Sequence, residues 1–227
     1  MARRSRNRNT TPVPTRRDLR MQAQPARRSV VQGKRTRATR AKVDAQYVPP
    51  EDWYEPRGDL TADYRTVLQT PGPGYTHVVS AAEVRQRLSR LPTEFLHSLE
   101  VVQFSRMTRK KQSFPCYGMQ WGSTIYLYPI EESLIEHFSR PPRPAVYNEA
   151  RMYGGKWVQR GSSWQLVWSR DTIRDFYLNN VLIHELGHLL DLRNRSYQDR
   201  ERYAEWFAIE HGYRPSRNVR NRRGVAG

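Results

Sequence analysis

Residues 181–191 read Val-Leu-Ile-His-Glu-Leu-Gly-His-Leu-Leu-Asp, and no other stretch constrains this chain so tightly. The flanking Val181, Leu182, Leu186, Gly187, Leu189 and Leu190 carry no charge. A helix built from them can therefore be buried up to the point where His184, Glu185 and His188 stand. Four residues is about one helical turn, so His184 and His188 project from one face, while Glu185 is offset by roughly 100°. Two imidazoles at that spacing can share one zinc ion, with the glutamate in reach of a water on it. Zinc in such a site lowers the pKa of water to about 7, and the Glu185 carboxylate can take the proton as the water attacks a carbonyl. The competing reading is a buried helix with two core histidines and no metal.

A catalytic zinc site needs a third protein ligand and keeps its fourth position for water. The next helical segment, Asp-Arg-Glu-Arg-Tyr-Ala-Glu-Trp-Phe-Ala-Ile-Glu-His (199–211), carries Glu201 and Glu205 four residues apart on one face. If the two helices form an antiparallel hairpin turning near Arg195, His188 lies opposite Glu201 and His184 opposite Glu205. Asp191, three residues after His188 on the same face, is a further candidate. Spacing alone leaves all three open as metal ligands or as outer partners of the histidines.

His-Glu-Leu-Gly-His followed by E-x-x-A-E-x-F-A resembles the gluzincin metallopeptidases. It resembles in particular the minimal zinc proteases that include phage-repressor-cleaving and radiation-response regulators, and anthrax lethal factor has a similar E-x-x-A-E helix. The resemblance covers about residues 177–212. It implies a zincin-like domain, Zn2+ as cofactor, a protein or peptide substrate, and Glu201 as third ligand, with Ala204, Phe207 and Ala208 at matching positions. Thermolysin-like enzymes place a carboxylate four residues after that ligand to hold a zinc histidine, the role this match gives Glu205. The interval from His188 to Glu201 is shorter than those families usually show. Tyr177, Tyr203, His211 and Tyr213 are candidates for polarising a carbonyl oxygen, with no motif to choose among them.

Charge divides the rest of the chain. Residues 1–43 hold 14 Lys or Arg against one acid, Asp18, and residues 214–227 add five Arg and no acid. The middle, 44–213, has 20 basic and 21 acidic residues and reads as an ordinary globular segment. The expected organisation is an Arg-rich disordered tail (1–46), a catalytic domain (47–213) and a basic disordered tail (214–227). Arg-rich arms suit sequence-independent, salt-sensitive contact with RNA or DNA phosphates. A nucleic-acid-binding protein with a structural or inactive HExxH site is therefore the alternative function, and a zinc hydrolase acting on a non-peptide substrate is a third. No run approaches the roughly 20 apolar residues of a membrane span, and a lone Cys116, taken as a buried thiol, cannot form an internal disulfide. These point to a cytoplasmic protein, although an Arg-rich, acid-poor start also fits an organelle transit peptide.

Within the middle segment, Ser80 with Glu83 three residues on marks a helix start, with about three turns expected. Leu-Glu-Val-Val-Gln-Phe (99–104) and Ser-Thr-Ile-Tyr-Leu-Tyr-Pro-Ile (123–130) read as strands. Lys156–Gly161 and Ser162–Ser169 read as a hairpin around Gly161, for a sheet of about four strands. Helices are expected over Asp171–Leu192, capped by Asp171, and over Asp199–His211, ended by a left-handed Gly212. Strands followed by paired helices make the domain α+β. In zincins the substrate lies along an edge strand above the active helix; residues 123–130 or the Trp hairpin are the candidates.

Overall fold

The computed structural model describes Pro50, residues 63–113 and residues 116–218. The tail expected over 1–46, the Pro/Gly-rich stretch up to residue 62 other than Pro50, and residues 219–227 lie outside the described part.

The fold is α+β. Its strands are β1 (Arg65–Leu68), β2 (Tyr75–Thr76), β3 (Val101–Phe104), β4 (Gly118–Trp121), β5 (Thr124–Leu127), β6 (Ile130–Glu131), β7 (Ile135–Phe138), β8 (Lys156–Arg160) and β9 (Ser163–Val167). Its helices are α1 (Ala81–Leu88), α2 (Arg109–Ser113), α3 (Pro144–Met152), α4 (Arg170–Phe176), α5 (Leu182–Leu190) and α6 (Tyr197–Ala208). Among the described residues no helix is long and apolar enough to cross a membrane.

The main sheet has the order β1-β3-β5-β4, with β1, β3 and β5 parallel and β4 antiparallel to β5. β3 and β5 are buried along their whole length, which is why both read as continuous β-branched and aromatic runs rather than alternating ones. Residues 123–130 therefore hold an inner strand, not the expected edge; the edges are β1 and β4. β4 and β5 are joined by Gly122–Ser123, with Gly122 at φ 56°, a left-handed conformation that glycine adopts without penalty. The second hairpin repeats the device, with Gly161 at φ 59° ahead of Ser162. That hairpin belongs to a separate three-stranded sheet, β7-β9-β8, so the strands expected in one sheet are divided between two.

Side chains alternate across the main sheet. Val102, Phe104, Ile125 and Leu127 point into the large core shared with Phe176 and Leu186 of the helical layer. Met119, Tyr126 and Tyr128 form a smaller apolar cluster on the opposite face, with Cys116 and Trp121 packed against it. The Cys116 thiol is only half-buried, and Lys111 Nζ donates to its Sγ at 3.2 Å, so it is not the buried thiol expected.

The capping box at Ser80 and Glu83 is present, but α1 runs two turns rather than three. The long helical run begins at the cap Ser169, with Thr172 completing the box, rather than at Asp171. It passes through a π-turn over Tyr177–Val181 before α5. A second π-turn, Ile209–Tyr213, follows α6, and helix continues over 214–218. Gly212 thus does not end the helix. A methyl group there would collide with the Asn179 carbonyl of the first π-turn, so close approach and not a left-handed bend accounts for the glycine. Arg217 donates to Asp175 Oδ2 at 2.9 Å and to Met152 O at 2.7 Å, so the folded part extends past the expected boundary at residue 213.

Candidate metal centre

α5 lies between the main sheet and α6, and its side chains are buried from Leu182 to Leu189. The apolar residues of the motif fill the core, which carries the three ionisable groups inward with them: Glu185 is 0 % exposed and His184 and His188 are each 1 % exposed. One turn apart, the two imidazoles bring Nε2 to within 3.0 Å of Nε2. Glu201, from α6, completes the group, with Oε2 3.6 Å from His184 Nε2 and Oε1 3.6 Å from His188 Nε2.

α6 reaches this position because small residues line the contact. A methyl group on Gly187 would lie 3.0 Å from Ala204 Cα and 3.1 Å from Phe207 Cβ, so a larger residue would hold the two helices apart. Donor atoms at about 2.0–2.1 Å from a tetrahedral zinc ion stand about 3.3 Å apart. Separations of 3.0, 3.6 and 3.6 Å between two imidazole nitrogens and a carboxylate bracket that value. The donor set, two His and one acid, is that of a zinc site with a coordination position left over.

Of the three acidic candidates, only Glu201 joins this group. Glu205 is exposed, and one carboxylate, that of Glu201, faces both histidines instead of 201 and 205 facing one each. Asp191 is buried but organises the loop after α5. Its Oδ1 accepts from the amides of Arg193 at 3.3 Å and Asn194 at 3.1 Å, and its Oδ2 accepts from Asn194 Nδ2 at 3.1 Å.

The four candidates for polarising a carbonyl stand in packing positions. The Tyr177 hydroxyl donates to Tyr128 O at 2.8 Å, and burial, with the nearby Glu136, holds its pKa well above the ordinary tyrosine value. The His211 ring packs 4.4 Å from Phe207 and 5.0 Å from Phe95, and burial lowers its pKa. Tyr213 packs edge-to-face with Tyr153 and under the Arg217 guanidinium, and Tyr203 packs beside Trp206 and Arg193.

Two contributors were not foreseen. β4 crosses beside Glu185: a methyl group on Gly118 would lie 2.7 Å from Val181 Cγ1 and 2.9 Å from Glu185 Cγ, so only glycine lets the edge strand approach the carboxylate this closely. The signal was present, since Trp-Gly-Ser-Thr (121–124) between two apolar runs repeats the turn chemistry of Arg-Gly-Ser-Ser (160–163). Arg200, to which the sequence reading gave no role, donates to the carbonyls of Asp191 and His188. Behind β4, Tyr117 and Trp168 donate to the buried Glu136 Oε1 at 2.6 and 2.8 Å. Burial nevertheless pushes the Glu136 carboxyl up to about 7.

Comparison of the chain with protein-family models, with curated proteins and with solved structures gives no match.

Proposed function

We propose that this chain is a zinc-dependent metallopeptidase with a zincin-like domain of gluzincin type. The observation that carries the reading is the convergence of His184, His188 and Glu201 from two helices, with Glu185 fully buried one residue from the first histidine. His184, His188 and Glu201 would hold the ion. When bound, zinc supplies Lewis acidity, acidifying water and polarising a carbonyl.

The rest of the chemistry belongs to the chain. Glu185 is the general base: its carboxylate accepts a proton from the attacking water and, as the peptide bond breaks, delivers it to the departing amine. Burial of that carboxylate keeps bulk water from competing for the proton. β4 is one of the two edges of the main sheet and passes directly beside Glu185. An extended peptide pairing with that edge would be held along the strand by main-chain hydrogen bonds.

The test is zinc content by elemental analysis for the wild type, Glu201→Ala and Glu205→Ala, followed by proteolysis assays with Glu185→Gln as control. The expected result is about one zinc per chain in a one-ion site, lost in Glu201→Ala and kept in Glu205→Ala. No zinc in a folded wild type removes the reading. The basic composition of residues 1–43 favours a second reading, nucleic-acid binding around a structural or inactive site. On that reading Glu185→Gln changes no measurable property.

A further inference from the structure

Arg200 stands one residue before Glu201 on α6. Its guanidinium reaches across to the end of the histidine helix, Nη1 donating to Asp191 O at 2.9 Å and Nη2 to His188 O at 3.0 Å. Carbonyls at a helix C-terminus have no amide of their own helix to accept from, and the helix dipole is negative there. A guanidinium satisfies both needs, and its planar fork of donors fixes direction as well as distance. His188, whose carbonyl it holds, contributes its ring to the convergent group.

The link between the helices is held from the other side too. Residues 191–196 separate α5 from α6, and the Asp191 carboxylate folds that link by accepting from Arg193 and Asn194. Asp191 therefore shapes the turn with its side chain while its carbonyl is gripped by Arg200. A link this short leaves little slack in where α6 begins, and Glu201 follows the gripping residue directly.

We propose that Arg200 is a positioning residue for the metal centre. By fixing the start of α6 on the end of α5, it sets where the Glu201 carboxylate stands relative to Nε2 of His184 and His188. This rests on the reading of those three residues as a metal site.

The test measures zinc affinity by chelator competition, and the thermal midpoint of the metal-free chain, for wild type, Arg200→Ala, Arg200→Lys and Arg217→Ala. Arg217 is the control, since it also ties helix to neighbouring structure, through Asp175 and Met152, but away from the convergent group. Partners that orient metal ligands are worth about 10–100-fold in affinity. Arg200→Ala is expected to lose about that much. Arg200→Lys, which keeps the charge and loses the fork, loses less and carries the test if the alanine variant does not fold. Arg217→Ala should keep wild-type affinity while its metal-free midpoint falls at least as far as that of Arg200→Ala. Wild-type affinity in the Arg200 variants, or an equal loss in Arg217→Ala, overturns the assignment of Arg200 alone. A wild-type chain with no zinc affinity overturns the metal reading together with it.

Discussion

Glu185 and Gly118 shape the candidate centre, one by a buried carboxyl group and the other by the lack of a side chain. The Glu185 carboxylate is wholly buried beside a strand that can approach only because residue 118 has no Cβ. Replacing Glu185 by Gln keeps the shape and removes the proposed base. Zinc content should then be unchanged and peptide cleavage should fall by about 10²–10⁴-fold, measured as kcat/KM on one peptide. Gly118→Ala forces a methyl group against Val181 and the Glu185 stem in a packed core. It should cost about 1–3 kcal/mol of stability by denaturant titration, with cleavage reduced further than zinc binding because Glu185 is the group displaced.

The helices owe their mutual placement to two irregular turns. Each π-turn adds a residue to the local period and so rotates the following face by roughly 100° relative to an unbroken α-helix. The turn at Tyr177–Val181 directly precedes the motif, and that at Ile209–Tyr213 directly follows α6. They meet where Gly212 abuts the Asn179 carbonyl, which also accepts from the Tyr153 hydroxyl at 3.0 Å. Backbone on both sides leaves no room for a side chain to turn away. Gly212→Ala should therefore destabilise the chain by about 1–3 kcal/mol or more, read from the denaturant midpoint, despite the better helix propensity of alanine.

Glu136 joins the two larger sheets. It sits on β7 and accepts from Tyr117, the residue before β4, and from Trp168, just past β9. Burial raises its pKa to about 7 in the folded chain, against an ordinary value of 4.5. The folded state thus binds more protons than the unfolded one between those values, so stability falls as pH rises through that window and levels off above about 7. The cost is on the order of 3 kcal/mol. Thermal midpoints of the metal-free chain from pH 5 to 8 should show the decline in wild type and a much weaker one in Glu136→Gln. At the level of the full chain, deletion of residues 1–43 removes 14 of 39 basic residues. Zinc binding and the thermal midpoint should survive, while salt-sensitive retention on nucleic acid should be lost. Loss of folding would refute the division of the chain at that point.

Local pattern was enough for the features that depend on local pattern. The one-turn spacing of His184 and His188, the burial of their helix, the Ser80 cap, the Gly161 hairpin and the α+β class all follow from residues within a turn or two of one another. Spacing named Glu201 but did not separate it from Glu205 and Asp191, and only the family resemblance favoured it, because that choice depends on how α6 lies against α5. That placement is decided by contacts distant in the chain or invisible to periodicity: Gly187 against Ala204, Arg200 on the carbonyls of His188 and Asp191, and Gly212 on Asn179. The same holds for the edge strand, since pairing order and not composition makes β4 rather than β5 the outer strand beside Glu185. The amino-acid sequence by itself determined which side chains could hold a metal and act as base. Tertiary structure alone decided which carboxylate meets the histidines, because a helix period places residues around one axis and says nothing about the distance between two.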